Sequence, residues 1–326
     1  MPIPVLRARV AVVGLALAAT MSLASVADAK TIPAELRVVD SDGTDLAEQT
    51  QYTAKEGIKI KTDPGTKCFI GGAGGSGDKV TVPGPTAFSL LADAGETTRD
   101  VRPLSVTDEF PFGLGLCGVG DAVATTDGFW YLKADHTAAQ VGGDQLKVKP
   151  GLDVLWYLIE DASQPPPDEL VMTTPNVKAG VDAFEVQVFS YTDAGKKKPA
   201  KGAEVTGAKE STDAKGVTLV EVGDSDLIEL TATREGAIPS NDETVCTVKA
   251  AKCPPGYAET IAGTGGDDEI ETGKSAETVL AGGGDDRIDG SGGAAPDLVK
   301  CGGGDDKVTG YDKSGDTRFA GCEKVR

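Results

Sequence analysis

The chain has 326 residues and a formal net charge of −19 at pH 7, and only 5% of its residues are aromatic. This acidity argues against nucleic acid as a partner and against electrostatic adhesion to anionic membranes. The length predicts two or three domains, and we expect cations as the charged partners.

The first 29 residues have the pattern of a secretory signal peptide. Arg7 and Arg9 precede an apolar run from Val10 to about Ala24, and a small-residue cleavage site ends at Ala29. The sequence contains no second apolar run of that length, so we expect no membrane span. We predict cleavage near Ala29 and a secreted, extracellular mature protein.

Residues 30–163 form a first unit, the front module, which mixes short strands with one helix. A helix is predicted from Thr86 to Ala94, with Gly95 to stop it. β-branched and aromatic residues predict strands at Glu35–Val39, Val80–Val82, Phe129–Leu132, Leu146–Val148 and Val154–Leu158.

Three segments of the front module resemble the transcobalamin-like C-terminal domain found in bacterial surface proteins. They are Phe129-Trp-Tyr-Leu-Lys-Ala-Asp-His136, Val141-Gly-Gly-Asp144 and Lys149-Pro-Gly-Leu-Asp-Val-Leu-Trp-Tyr-Leu158. The resemblance implies an α+β, β-grasp-type fold and a small extracellular binding or structural module. It does not establish cobalamin binding. Trp130 and Trp156 could stack on a ligand, although aromatic residues on strands more often pack a core.

A stiff proline linker at residues 164–167 precedes the middle module, residues 168–249. About seven strands in some 80 residues suggest an immunoglobulin-like β-sandwich. The segments Gly202–Val205 and Thr212–Leu219 resemble bacterial Ig-like or carboxypeptidase-regulatory-like surface modules, which generally act as spacers. The alternating apolar residues that indicate strands are Phe184, Val186 and Val188, then Ile228, Leu230 and Ala232.

After a second linker at 250–262, residues 263–326 repeat every nine residues. Three good copies carry Asp at position six and a β-branched residue at position eight, which is the G-G-x-G-x-D-x-U-x nonapeptide. They are Gly263-Thr-Gly-Gly-Asp-Asp-Glu-Ile270, Ala281-Gly-Gly-Gly-Asp-Asp-Arg-Ile288 and Cys301-Gly-Gly-Gly-Asp-Asp-Lys-Val308. Degraded copies between them place Glu277 and Asp297 at position six, the second after a two-residue insertion around Ala294 and Ala295.

The composition of these repeats suits a cation. Glycines permit tight and left-handed turns whose carbonyls face a common point, and Asp adds the hard oxygen that calcium takes as a ligand. Residues 261–310 hold 14 Gly and 11 acidic residues against 4 basic ones. Without a cation, such a segment would be a flexible, self-repelling tail. We therefore expect Ca²⁺ binding and folding to be one event.

The segment resembles the haemolysin-type (RTX) calcium-binding repeat. The resemblance implies a parallel β-roll in which two nonapeptides make one coil and ions are shared by repeats lying two apart. One side of the roll then carries the intact repeats, and we expect about two Ca²⁺ sites there. The other side, with Glu277, Asp297 and Asp316 if a sixth repeat exists, is expected to be weak or empty. The strong metal-binding candidates are Gly263, Gly265, Gly266, Asp268, Gly282, Gly284, Asp286, Gly302, Gly304 and Asp306.

Six cysteines in the exported part favour disulfides over thiolate metal sites. Separation along the chain favours local pairs among the possible connectivities. Cys301 and Cys322 fall on adjacent coils if the last repeat also carries an insertion, about 4.8 Å apart by strand spacing, which suits a disulfide. The predicted pairs are Cys68–Cys117, Cys246–Cys253 and Cys301–Cys322.

The sequence gives little support to an enzyme. Its only histidine is His136, so any Ser-His-Asp triad must use it. The glycine-rich string Gly113–Gly120 lacks the helix that follows a dinucleotide-binding loop. We predict a multi-domain, mainly β, non-enzymatic calcium-binding protein of the cell exterior or surface. The alternatives are an extracellular small-molecule-binding or adhesion protein that uses the front module, with the roll as a stabilising cap, and a hydrolase that uses His136.

Overall fold

A computed structural model describes residues 30–66, 68, 74–249, 252–293, 295–310, 316–318 and 321–325. The predicted signal peptide lies outside these residues. Of the described residues, 42% lie in strands and 5% in helices, which confirms the prediction of a mainly β protein. No helix in the described ranges is long and apolar enough to cross a membrane.

The front module has a long-stranded sheet, two small antiparallel sheets and a helix. Its elements are β1 (Thr31–Val39), β2 (Asp45–Ala54), β3 (Ile58–Lys61), β4 (Lys79–Val82), α1 (Ala87–Thr97), a 3-10 helix (Arg99–Val101), β5 (Leu104–Thr107), β6 (Gly115–Val119), β7 (Ala122–Val123), β8 (Phe129–Ala134), β9 (Thr137–Ala138) and β10 (Asp153–Ile159). Four of the predicted strands are confirmed within β1, β4, β8 and β10. The fifth is wrong, because in 146–148 only Lys147 forms an isolated bridge, to Thr86.

Helix α1 begins as predicted and ends later. Thr86 caps it, because its hydroxyl accepts the Ser89 N–H while the Ser89 side chain accepts the Thr86 N–H. The helix continues through Gly95 and ends before Thr98, whose backbone is extended. A glycine costs a helix about 1 kcal/mol, which is not enough to stop one that packs on a core. Phe88 of α1 meets Trp156 edge to face, with ring centroids 6.0 Å apart.

Strand β2 was not predicted, because its inward row is polar. Gln49, Gln51 and Thr53 are all buried. The Thr53 hydroxyl donates to the Asp93 carboxylate at 2.7 Å, and the Thr98 hydroxyl donates to Gln49 Oε1 at 2.8 Å. Hydrogen bonds therefore replace the apolar alternation by which a half-buried strand is recognised.

The middle module gathers a five-stranded sheet and two two-stranded sheets around one core. Its strands are β11 (Asp168–Thr173), β12 (Ala183–Tyr191), β13 (Lys197–Pro199), β14 (Glu204–Val205), β15 (Val217–Glu221), β16 (Leu227–Leu230), β17 (Ala232–Thr233), β18 (Ala237–Ile238) and β19 (Glu243–Cys246). The predicted alternation is confirmed on β12, where Phe184, Val186 and Val188 are buried. Leu230 and Ala232 join the same core, and Ile228 packs against it half-buried.

The C-terminal segment, residues 259–325, winds as a two-sheet parallel roll. Successive strands alternate between the sheets, in the orders β20-β22-β24-β26 and β21-β23-β25-β27. Strand pairs are 18 residues apart at Glu259 and Glu277 but 20 apart at Thr278 and Leu298, which confirms the two-residue insertion. The strands are β20 (Glu259–Ala262), β21 (Glu269–Glu271), β22 (Glu277–Leu280), β23 (Arg287–Asp289), β24 (Leu298–Lys300), β25 (Lys307–Thr309), β26 (Thr317–Arg318) and β27 (Lys324–Val325).

The roll continues the sheet of the front module. Strand β20, inside the segment predicted as a linker, pairs in parallel with β2. One nine-stranded sheet results, in the order β26-β24-β22-β20-β2-β1-β10-β8-β9. The sequence pattern contains no sign of this pairing, because it joins elements more than 200 residues apart.

The front and middle modules are held together by a buried ionic network despite the proline linker. Lys133 Nζ and Glu169 Oε2 lie 2.9 Å apart, and both side chains are almost fully buried. His136 Nδ1 is 2.8 Å from the other oxygen of Glu169, and its ring lies against that of Tyr191. Removing either partner would leave a buried, uncompensated charge, so the pair favours this arrangement of the two modules.

All three predicted disulfides are confirmed. Cys68 is bonded to Cys117, Cys246 to Cys253, and Cys301 to Cys322. The last bond joins adjacent coils at the C-terminal end of the roll, with a Cα–Cα distance of 5.2 Å.

Candidate metal centre

Three predicted carboxylates stack one above another inside the roll. Asp268, Asp286 and Asp306 are all buried. The Asp268 N–H donates to Asp286 Oδ1 at 2.9 Å, and the Asp286 N–H donates to Asp306 Oδ1 at 2.9 Å. Glu323 ends the row by accepting the Asp306 N–H at 3.0 Å. The structure thus brings together the position-six residues of the intact repeats, as the period predicted.

Asp286 and Asp306 each use one oxygen for the bond between coils, whereas Asp268 Oδ2 accepts the Thr264 N–H of its own loop. The second oxygen, Oδ2, of Asp286 and of Asp306 is buried and has no hydrogen-bond partner among the described residues. Asp286 is 1% exposed and Asp306 is 0% exposed, so water does not reach these side chains freely. A buried carboxylate oxygen without a partner is strongly unfavourable, and a cation would satisfy it.

The three inner carboxyl groups all have raised pKa values. Burial, together with the neighbouring charges of Asp268 and Asp306, raises the pKa of Asp286 to about 8, even though the Asp268 N–H opposes the shift. Burial also raises the pKa of Asp268 and of Asp306. A divalent cation among them would reverse this shift by favouring the charged forms.

Several of the predicted glycines are required by close packing between coils. Gly282 has φ +101° and Gly302 has φ +95°, in the region that favours glycine. A Cβ on Gly282 would overlap the Thr264 carbonyl oxygen, and one on Gly302 would overlap the Gly282 carbonyl oxygen. The same conflict arises for Gly263, Gly284 and Gly304, whereas Gly265 and Gly266 have room for a Cβ.

Loop carbonyls accept hydrogen bonds from the next coil of the roll. The Thr264 carbonyl accepts the Gly283 N–H at 3.1 Å, and the Gly282 carbonyl accepts the Gly303 N–H at 3.0 Å. Each carbonyl oxygen has a second lone pair. Backbone oxygens and one carboxylate per coil could therefore serve as ligands, and oxygen is what Ca²⁺ prefers.

The opposite side of the roll, predicted to be weak or empty, also carries a row of carboxylates. The Glu277 N–H donates to Asp297 Oδ1 and the Asp297 N–H donates to Asp316 Oδ1, both at 3.0 Å. Glu277 Oε2 is buried without a hydrogen-bond partner. Burial and the adjacent Asp297 raise the pKa of Glu277 to about 8. A second carboxylate row thus exists, although fewer glycine turns accompany it.

A third row of carboxylates, which the sequence argument missed, runs along the surface of the intact side. The Asp285 N–H donates to Asp267 Oδ1 at 3.0 Å, and the Asp305 N–H donates to Asp285 Oδ1 at 2.9 Å. Lys30 pairs with Asp267, and Lys324 pairs with Asp305. The position-five Asp in each Asp-Asp pair was the available signal. On the other side Ala276 and Pro296 occupy that position.

In two other groups of ligand-type side chains, a basic residue already pairs with one of the carboxylates. Among the described residues, three such side chains come within 4.8 Å of one another at His136–Asp153–Glu169 and at Asp45–Glu48–Asp242. Lys133 is paired with Glu169 in the first group, and Arg37 lies 3.1 Å from Asp45 in the second. In the described part of the roll, Asp286 Oδ2 and Asp306 Oδ2 are buried without a hydrogen-bond partner, which makes the roll the better metal candidate.

Trp130, Trp156 and His136 are the residues on which the small-molecule-binding and hydrolase alternatives depend. Trp130 and Trp156 are buried in the core of the front module, which opposes an aromatic ligand cleft. His136 is hydrogen-bonded to Glu169 at the junction of two modules. No family model, curated protein or solved structure matches the chain, so its own residues carry the functional argument.

Proposed function

We propose that this is a secreted, non-enzymatic, calcium-binding protein of the cell exterior, whose C-terminal roll folds around Ca²⁺. One observation carries the proposal: Asp286 Oδ2 and Asp306 Oδ2 are buried in adjacent coils without a partner in the protein. Structural polar groups are normally satisfied by hydrogen bonds, and here the protein supplies none. A bound cation gives these oxygens their role.

The intact side of the roll would hold the ions. Asp268, Asp286 and Asp306 would supply carboxylate oxygens, and the glycine-rich loops at 263–266, 282–284 and 302–304 would supply backbone carbonyls. Bound Ca²⁺ would neutralise the inner row, so that charges which repel one another in the empty roll would hold its coils together. Asp286 has a neighbour in the row on either side, and we assign it the central place.

An extracellular setting suits this chemistry. Calcium modules outside cells bind with dissociation constants of roughly 10⁻⁴–10⁻³ M, so the roll would fill only after export. The three disulfides are typical of exported proteins. A ligand of the front module, at a cell surface or in solution, is the remaining partner to identify.

Calorimetric titration of chelator-treated protein tests the proposal. We expect about two sites for Ca²⁺ and weaker binding of Mg²⁺, which demands a stricter octahedral geometry. Asp286→Asn should abolish or weaken the binding. The matched control is Asp285→Asn, which removes a charge one residue away on the surface. A titration without binding heat, together with circular dichroism that a chelator leaves unchanged, would remove the proposal.

A further inference from the structure

The first coil of the roll lies on an edge strand that already belongs to the front module. Strand β2 pairs with β1 from Asp45 to Ala54, along the edge that faces away from the roll. Its other edge takes β20 in parallel, with Thr50 opposite Ile261 and Gln51 opposite Ala262. β2 thus occupies the place that a preceding coil would have.

Gln51 is fully buried at this junction and all of its amide is used. Its Nε2 donates to the Gly263 carbonyl at 2.9 Å and to the Tyr52 carbonyl at 2.7 Å, while its Oε1 accepts from Gln49 at 2.6 Å. Gly263 opens the first calcium loop. If the roll were absent, the bond to Gly263 would be lost and the amide would face solvent.

Tyr52 closes the apolar end of the roll. It is buried and belongs to the same core cluster as Ile261, Ile270 and Val279. Burial raises the pKa of its hydroxyl to about 12. Repeat folds need a cap at each end, because an end coil exposes its apolar interior and an unpaired strand. Tyr52 supplies this cap from outside the repeats.

Two polar contacts flank the junction. The Thr50 hydroxyl donates to Glu259 Oε1 at 2.9 Å, and Lys30 Nζ lies 2.9 Å from Asp267 Oδ2. Lys30 thus meets Asp267, the first residue of the outer carboxylate row.

The first coil also differs from the later ones in the direction of its hydrogen bonds. Later carboxylates accept an N–H from the preceding coil, as Asp286 does from Asp268. Asp268 has no preceding coil, and its Oδ2 accepts the N–H and the hydroxyl of Thr264 in its own loop instead. The row of position-six carboxylates therefore ends at Asp268, and the first coil is joined to the front module by the pairing of β20 with β2.

We propose that the β2 edge, with Gln51 and Tyr52, is a preformed docking surface for the first coil of the roll and serves as the template on which the roll folds. The occupant is the chain's own segment from Glu259 to Ile270. Resting on the proposed function, the inference adds that calcium decides whether this edge is covered. Calcium-loaded coils stack upon β20, and withdrawal of calcium uncovers β2.

Hydrogen exchange of the full-length protein across a Ca²⁺ titration tests the template. Gln51→Leu and Tyr52→Ala should each raise the Ca²⁺ concentration that protects β20–β23 by roughly tenfold, because each removes contacts to the first coil. Strands β8 and β10 should keep their protection. Val154→Ala is the control, since it opens a cavity in the front core away from the roll. It should leave the Ca²⁺ midpoint in place.

The outcomes separate this inference from the proposed function. An unchanged midpoint in both variants, with β8 and β10 still protected, would overturn the template. If the roll is equally protected with and without a chelator, the calcium proposal fails. The template is then judged by urea: Tyr52→Ala and Gln51→Leu should lower the urea concentration at which β20–β23 lose protection, and Val154→Ala should not.

Discussion

The backbone N–H of Asp268 donates to Oδ1 of Asp286 at 2.9 Å, so an aspartate side chain ties together two coils that are 18 residues apart. The same bond links Asp286 to Asp306 across 20 residues. The side chain thus accepts this bond whether or not the coil contains the insertion. One oxygen holds the neighbouring coil, and the other is buried without a hydrogen-bond partner among the described residues.

Because the two oxygens of Asp286 have different surroundings, two substitutions at this residue should have different outcomes. Asp286→Asn keeps an oxygen that can accept the Asp268 N–H, and it removes the charge. Asp286→Ala removes both and leaves a buried donor unsatisfied, which costs about 1–3 kcal/mol. With excess chelator, we expect the Asn variant to have a higher melting temperature than the Ala variant. Equal melting temperatures would contradict the role of the bond between coils.

The two sides of the roll should differ in calcium dependence. Asp286→Ala removes the central carboxylate of the intact side, whereas Glu277→Ala changes the side with fewer glycine turns. We expect the first variant to need more Ca²⁺ for folding than the second, as followed by circular dichroism during titration. Equal shifts would mean that both carboxylate rows bind ions equally well.

The empty roll should become more stable as the solution is acidified. Burial raises the pKa of Asp286 to about 8 from an ordinary value of 3.8. The folded, calcium-free state therefore holds a proton that the unfolded state releases, and stability falls as pH rises between about 4 and 8. Thermal unfolding in chelator at pH 5, 6, 7 and 8 measures this trend. Asp286→Asn should flatten it, and a wild-type stability that rises with pH would contradict it.

The junction of the front and middle modules should lose stability at both ends of the pH range. Burial is the largest single influence and opposes both ionised groups. Their mutual hydrogen bond and the neighbouring charges of Asp153 and Lys133 together outweigh it, so the pKa of His136 is raised and that of Glu169 is lowered. The contribution of His136 to the stability of the junction is complete below the pKa of the unfolded state. It is lost as pH rises through the higher pKa of the folded state. The Glu169 contribution is complete above its unfolded pKa and is lost as pH falls through the folded one.

Hydrogen exchange at β9 and β11 across pH measures this junction, after correction for intrinsic exchange rates. His136→Gln should remove the loss at high pH and keep the loss at low pH, because Lys133 still pairs with Glu169. Lys209→Gln is a suitable control, since it breaks an exposed ion pair elsewhere in the middle module. A high-pH loss that persists in His136→Gln would contradict the assignment.

The disulfide at the end of the roll should protect the last coils selectively. Cys301 and Cys322 close a loop of 21 residues, for which the chain-entropy model gives about 3 kcal/mol. In Cys301→Ser/Cys322→Ser we expect faster exchange in β24 and β25 and little change in β20. Cys246→Ser/Cys253→Ser is the matched control outside the roll. Uniform loss of protection along the roll would show that its coils unfold together.

The roll was predictable because its information is local. Repeated glycines and Asp286 at a fixed position determine both the turn and the stacking, so the period suffices to place the carboxylates. Cys301 and Cys322 followed from the same period. Strand β2 was not predictable, since Gln49 and Gln51 are buried through hydrogen bonds that a pattern of apolar residues does not contain.

The contacts between modules depend on pairings that no period encodes. His136 is a solitary polar residue in the sequence, and its partner Glu169 lies beyond the proline linker. The pairing of β2 with β20 likewise joins two distant edges by backbone bonds, which any side chains of suitable size permit. Both contacts depend on how distant segments fit together and satisfy their hydrogen bonds, which a local sequence pattern does not contain.

The bond between Cys301 and Cys322 also matters when the molecule is stretched. A pull on the C-terminal end reaches Cys322 and passes straight to Cys301, so the residues between them do not lengthen. Tension then acts on β24 and on its parallel neighbour β22, along the direction of the strands. The segment between the two cysteines therefore cannot add to the length of the stretched chain, and the force is carried by the coils that precede it.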